Sequence, residues 1–248
     1  MRKRMLTLLI FCLLLLPVCL GAAGSASDPL ITQSWLENYL DSQLSPLEKE
    51  LDALQTEVNK LSSDGIEHFT DLGGYAWAEQ SISFVVKRGL FNGTTDTTFA
   101  PGQTMSRAMF VTVLGRLAGA DPASYTDATF KDVPQQQYYA PYVAWAVKNG
   151  IIGGYTDGTF RPDAPITREQ LAVCIIRYAD YAAWQLPSGS SITFADAGKI
   201  SSYATASVQR AVQAGIVGGY GDSTFRPQGQ ATRAEAATML MRLVNAAN

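Results

Sequence analysis

The sequence predicts a mainly α-helical protein: three tandem helix-loop-helix repeats in a pseudo-threefold arrangement, preceded by a short N-terminal helical or coiled-coil segment. Three observations predict it. The order Phe-x-Asp, an aromatic, then Gly-x(5)-Phe-x-Pro-x(5)-Arg occurs three times: Phe69, Asp71, Trp77, Gly93, Phe99, Pro101, Arg107; then Phe130, Asp132, Tyr138, Gly154, Phe160, Pro162, Arg168; then Phe194, Asp196, Tyr203, Gly219, Phe225, Pro227, Arg233. A period of this size marks a supersecondary unit that buries its apolar face only against its neighbours. Each copy also carries an apolar stripe at helical spacing, and before the first copy leucines recur in alternating steps of four and three.

The chain opens as an export signal over residues 1–26. Arg2, Lys3 and Arg4 precede an apolar run from Met5 to Leu16 and small residues from Gly21 to Ala26. The run is shorter than the roughly 18–20 residues that a spanning helix needs. The mature chain is therefore expected outside the cytoplasm, with no membrane span once the signal is cleaved; an uncleaved anchor is the alternative. Val18 stands where a lipid-modified Cys19 would need a small residue. Removing the signal takes three of the 19 basic residues and none of the 22 acidic ones, so the net charge falls from −3 to −6. That balance argues against nucleic acid as a partner.

Cys12 and Cys19 leave with the signal, so Cys174 has no partner for an internal disulfide. Val173, Ile175 and Ile176 around it indicate a buried helix position, and the single histidine, His68, lies before the first repeat. A catalytic thiol is not supported.

Residues 28–64 form the helical segment. Leu40, Leu44, Leu47, Leu51, Leu54, Val58 and Leu61 trace a heptad seam. Ser45-Pro46-Leu47-Glu48 reads as a capping box with proline at the first helical position, so the helix is expected to start at Pro46 and to end near Ser62 to Gly65. A shorter amphipathic piece, Ser34 to Leu44, carries Trp35, Leu36, Tyr39 and Leu40. Packing on the repeats, a spacer role and self-association through a short coiled coil all remain open.

The repeats span 67–119, 128–183 and 192–248. In each, a first helix follows the aromatic: Trp77 to Arg88, Tyr138 to Asn149 and Tyr203 to Ala214. Gly89, Gly150 and Gly215 come next, where a left-handed C-terminal cap is expected. A loop rich in Asp, Gly and Thr leads to a buried phenylalanine and a proline, and a second helix then opens at Ser106, Thr167 or Thr232. Gln170 and Glu235 complete capping boxes in copies two and three; copy one has Met109 there. Gly119 to Thr129 and Gln185 to Thr193 are the joints.

These repeats resemble the S-layer homology domain, with Ile166-Thr167-Arg168-Glu169-Gln170 and Ala231-Thr232-Arg233-Ala234-Glu235 similar to its threonine-arginine signature. The resemblance covers Glu67 to the C-terminus. It implies a non-catalytic cell-wall anchoring module, in which three repeats bind secondary cell-wall polysaccharide non-covalently, often through a pyruvylated sugar, and hold an exported protein at the cell surface. It implies neither cofactor nor metal.

On that basis the candidate ligand-binding residues are Arg107, Arg168, Arg233, Trp77, Tyr138, Tyr203, Gly93, Gly154, Gly219, Asp71, Asp132 and Asp196. Each arginine opens a helix, where unpaired N–H groups and the dipole favour an anion, and its fork suits a carboxylate. The alternative is a surface arginine paired with a neighbouring repeat's acid. The aromatics can stack on a sugar ring or edge the core. The glycines either admit a ligand close to the backbone or adopt a positive backbone angle. The aspartates either accept sugar hydroxyls or cap the first helix. Phe69, Phe130, Phe194, Phe99, Phe160 and Phe225 are assigned to the core.

Repeat one departs from the others at Asn92, Thr94 and Ser106-Arg107-Ala108-Met109, so the best-formed sites are expected at Arg168 and Arg233. A structural protein that oligomerises through the N-terminal helix is the second function class. An enzyme is the third; Asp157 and Asp163 are paired carboxylates, but both lie in turn positions.

Overall fold

A computed structural model describes residues 33–63, 65–126 and 130–247. The signal expected over 1–26 lies outside the described residues. The chain divides at Thr56 into two units.

Helix α1, Gln33–Ser63, is continuous and holds Pro46 inside it, so the expected fresh start at Pro46 is not observed. Pro46 withholds the N–H that would bond to the Ser42 carbonyl, a local defect. Leu40 and Leu44 before it and Leu47 after it stay in one heptad phase, so a single helix avoids a second costly nucleation. Leu47, Leu51 and Leu54 are 57%, 54% and 53% exposed. The side chains of Trp35, Leu36, Val58 and Leu61 lie outside the described ones. Among the described residues no helix is long and apolar enough to cross a membrane.

The repeats are helical: α2 (Glu79–Lys87), α3 (Arg107–Leu117), α4 (Ala140–Lys148), α5 (Arg168–Tyr181), α6 (Thr205–Gln213) and α7 (Arg233–Ala246). Extended pairing among the described residues amounts to three isolated bridges, Thr104 with Thr232, Ser106 with Pro165 and Thr167 with Gln230. Gly89, Gly150 and Gly215 adopt φ of 65°, 69° and 70° and end the first helix of each repeat as left-handed caps.

The helices pair across repeats. Helix α4 packs on α3, α6 on α5, and α2 on α7. The last contact joins the first repeat to the third and closes a ring. At its centre the Met105 N–H donates to the Ala231 carbonyl at 2.9 Å, the Ala231 N–H to Ile166 at 3.0 Å, and the Ile166 N–H to Met105 at 2.9 Å. This cyclic triangle is the pseudo-threefold axis. Met105, Ile166 and Ala231 are at most 1% exposed, so an unpaired member would be costly.

The same ring occupies the helix starts. The first two N–H groups of α3 donate to Ala164 and Pro162, those of α5 to Gly229 and Pro227, and those of α7 to Gln103 and Pro101. The third N–H goes to the hydroxyl of Ser106, Thr167 or Thr232. The amides expected to be free for an anion are therefore already taken by the next repeat.

Asp71, Asp132 and Asp196 shape the loop before each proline. Asp71 accepts from the Phe99 and Ala100 N–H groups at 2.9 and 2.6 Å. Asp132 does the same for Phe160 and Arg161, and Asp196 for Phe225 and Arg226. Ala100, Arg161 and Arg226 have φ of 56–57°, a left-handed state costing a side-chain-bearing residue roughly 1–2 kcal/mol, which these paired bonds offset. None of the three first helices has a side-chain N-cap.

Gly93, Gly154 and Gly219 are absent from the positive-φ residues. A Cβ on Gly219 would lie 2.7 Å from the Phe194 ring, one on Gly93 2.6 Å from Phe69, and one on Gly154 would run into Phe130. The glycine is required by the phenylalanine beneath it. Gly154→Ala is expected to lower stability by about 1–3 kcal/mol, whereas Gly153→Ala, whose Cβ meets nothing within 4 Å, should stay within about 0.5 kcal/mol. Urea unfolding of the two variants checks the contrast.

Candidate functional site

Three grooves open between the repeats, and each is built from all three. One of about 370 Å³ takes Arg107 from repeat one, Gly153, Gly154, Tyr155, Gln170 and Arg177 from repeat two, and Tyr203 from repeat three. A second, about 460 Å³, takes Arg168, then Gly218, Gly219, Tyr220, Glu235 and Arg242, then Trp77. The third, about 360 Å³, takes Arg233, then Asn92, Gly93, Met109 and Arg116, then Tyr138. The sequence-predicted arginines, glycines and aromatics thus meet, one of each kind per groove. The aspartates line none of the three.

The arginines are not surface residues; Arg107, Arg168 and Arg233 are 4%, 4% and 6% exposed. Each reaches from the start of its helix into the loop of the next repeat. Arg107 donates from Nε to the Phe160 carbonyl and from Nη2 to Gly153, both at 2.8 Å. Arg168 binds Phe225 and Gly218 in the same way, and Arg233 binds Phe99 and Asn92. Burial of Arg233 lowers its affinity for a proton. Rings lie beneath the guanidinium groups: Tyr155 and Phe160 under Arg107, Tyr220 and Phe225 under Arg168, Phe91 and Phe99 under Arg233, at 4.5–5.3 Å.

One edge of each guanidinium, Nε with Nη2, therefore holds backbone, and Nη1 is left for the groove. In Arg168 this nitrogen meets Glu235 Oε1 at 2.9 Å, a pairing with the neighbouring repeat's acid. Trp77, Tyr138 and Tyr203 are 58%, 58% and 54% exposed, so their faces are available for stacking. The Tyr203 hydroxyl donates to Glu169 at 3.0 Å; burial, and then this bond, push its pKa well up.

Sequence reading missed a second arginine in every groove. Arg116, Arg177 and Arg242 each fall nine residues after the motif arginine, a repeated spacing that was present in the sequence and placed them on the same helices. Cys174 lines the Arg107 groove but is 3% exposed, and burial raises its thiol pKa to about 11, which suits a packing residue. Asp157 accepts from the Thr159 hydroxyl and N–H and pairs with Arg161; these bonds hold it well below the usual carboxylate range as a turn anchor.

Comparison with known proteins identifies what these grooves belong to. The S-layer homology domain model matches residues 68–109, 129–172 and 193–237. An amylopullulanase of Thermoanaerobacterium thermosulfurigenes is 35% identical over 68% of this chain and 9% of its own length. A cellulosome-anchoring protein of Acetivibrio thermocellus is 29% identical over 58% of this chain and 33% of its own. A surface-layer 125 kDa protein of Lysinibacillus sphaericus is 26% identical over 74% and 15%. The chain thus spans at most a third of the length of these relatives.

Because the motif arginines tie repeats together, removing one acts on the fold as well as on the groove. Arg107→Ala orphans the Phe160 and Gly153 carbonyls and is expected to cost about 2–4 kcal/mol. Arg107→Lys, lacking the fork, should recover only part of that loss. The shift of the urea midpoint at unchanged slope measures both.

Proposed function

This chain belongs to the S-layer homology domain family, and from that premise we propose that it is a non-catalytic module that anchors itself at the cell surface by binding secondary cell-wall polysaccharide. The observation that carries the proposal is the build of the grooves: two arginines, a glycine floor and an exposed aromatic, repeated three times on one closed ring. An anionic sugar fits this set, its carboxylate on the outer guanidinium edge and its ring on the aromatic. A pyruvyl ketal supplies such a carboxylate. Three weak sites on one body raise overall avidity without any strong one. The proposed site residues are those of the grooves, Arg107, Arg168, Arg233, Trp77, Tyr138, Tyr203, Gly93, Gly154 and Gly219, with Asp71, Asp132 and Asp196 acting through the loops that carry them.

The cellulosome-anchoring and surface-layer relatives support surface anchoring. Catalysis is not carried over from the amylopullulanase, of which this chain covers 9%. Export through the signal over 1–26 completes the proposal. Purified wall sacculi should retain the mature protein and lose it after mild acid hydrolysis of pyruvyl ketals. Trp77→Ala combined with Tyr138→Ala should weaken retention while stability changes by no more than about 0.5 kcal/mol per site, because both rings are exposed. Retention unchanged by both treatments sinks the proposal.

A second reading concerns assembly. Leu47, Leu51 and Leu54 stand exposed in heptad phase along α1, and we infer that this seam pairs with another helix, a second copy of the chain being the partner that presents the same seam. Sedimentation of the mature protein should show a dimer that becomes a monomer when residues 28–64 are removed. A monomer in both cases removes this reading.

A further inference from the structure

The leucine seam of α1 is flanked by charges of one sign. In heptad notation, abcdefg, Leu44, Leu51 and Val58 stand at a and Leu40, Leu47, Leu54 and Leu61 at d, while Glu37 at the preceding a position bounds the seam. Leu47, Leu51 and Leu54 are exposed. The e and g positions flank that seam and face a partner helix across it. The charged residues at these positions in α1 are Asp41 and Glu48 at e and Glu50 and Glu57 at g. Both lysines of the helix, Lys49 and Lys60, fall at the outward f and c positions.

Such a helix can pair with its own copy only where the acids miss one another. In a parallel pair in register, each g position faces the e position five residues on in the other copy. Leu36 then faces Asp41, Gln43 faces Glu48, Glu50 faces Gln55 and Glu57 faces Ser62, so no two acids meet. In an antiparallel pair g faces g and e faces e. Setting Leu51 beside Leu54 puts Glu50 against Glu57 at two symmetric places; setting Leu51 beside Leu47 puts Glu50 against Glu50 and Glu48 against Glu48. Like charges so placed destabilise the pair. These two antiparallel registers also leave Leu40 or Leu61 without a partner layer, whereas the parallel register matches every seam residue with its twin.

We propose that α1 pairs with a second copy of the chain in parallel and in register, so that both sets of repeats start from one end of the helix pair and form a double anchor on a single wall surface. This deepens the self-association of the seam and rests on it, and on wall binding by the repeats. Phe69, the first residue of the repeat motif, follows Ser63 by six residues. A tether that short keeps the second set of repeats close to the wall once the first is bound, which raises avidity without any new contact. An antiparallel pair would start the two sets from opposite ends of a rod about 45 Å long, the build of a bridge between two surfaces.

Full mature chains carrying a nitroxide label at Ser42→Cys or Ser63→Cys, both outward f positions, report the orientation through the label-to-label distance; Cys174, 3% exposed, stays unlabelled. Each variant alone should give a short distance between twin labels, and a mixture of the two should add one of about 32 Å, the helical rise between the two positions. Long distances in each variant alone and a short one in the mixture mark the antiparallel pair and overturn the proposal while self-association stands. A monomer in sedimentation overturns both. Glu50→Lys turns the Glu50–Glu57 clash into an attraction and should bring antiparallel distances into the single-variant samples; no change there overturns the charge origin of the orientation. Leu51→Asp should give a monomer that needs a roughly tenfold higher concentration for half-maximal retention on wall sacculi. Equal retention of pair and monomer overturns the double anchor and leaves the pair standing; no retention of the wild type overturns wall anchoring itself.

Discussion

Three buried backbone hydrogen bonds running head to tail through Met105, Ile166 and Ala231 constrain everything else in the repeats. Each member donates to one repeat and accepts from the other, so no pair can satisfy its polar groups without the third. Around this triangle the starts of α3, α5 and α7 are pinned by carbonyls of the next repeat around the ring. The helix pairs follow, because a first helix finds its apolar partner on the second helix of a neighbour rather than on its own. The repeat that is visible as a unit in sequence is thus not a unit of packing. Folding is expected to be cooperative across the ring for that reason.

The motif arginines belong to this constraint before they belong to any ligand. A guanidinium has five N–H donors in a planar fork, and here two, one on Nε and one on Nη2, hold carbonyls of the adjoining repeat. Preorganised in this way, the outer edge costs little further ordering when a ligand arrives. Glu235 caps a helix with one oxygen and covers an arginine with the other.

Much of this was legible in the sequence where local chemistry decides the outcome. The left-handed glycines at Gly89, Gly150 and Gly215, the hydroxyl caps at Ser106, Thr167 and Thr232 and the two capping boxes depend on a few adjacent residues, and they form where the pattern places them. The burial of Arg107, Arg168 and Arg233 was not legible, because a helix start looks solvated until a distant chain supplies carbonyls to it. Nor was the work of Asp71, Asp132 and Asp196, which lies 28–30 residues ahead, on backbone amides that carry no side-chain signature. Pro46 misled in the other direction: a strong local start signal yields to the heptad phase that runs through it. The second arginines were present as a fixed interval and needed only to be counted.

The closure of α2 on α7 also has a meaning in time. The first helix of the first repeat is made well before its packing partner α7, Arg233–Ala246. A chain leaving the ribosome therefore holds an unfinished ring until α7 is released, with the apolar stripe of α2 unmatched until then. Up to that moment the ring is open and threadable, and the arrival of α7 locks it.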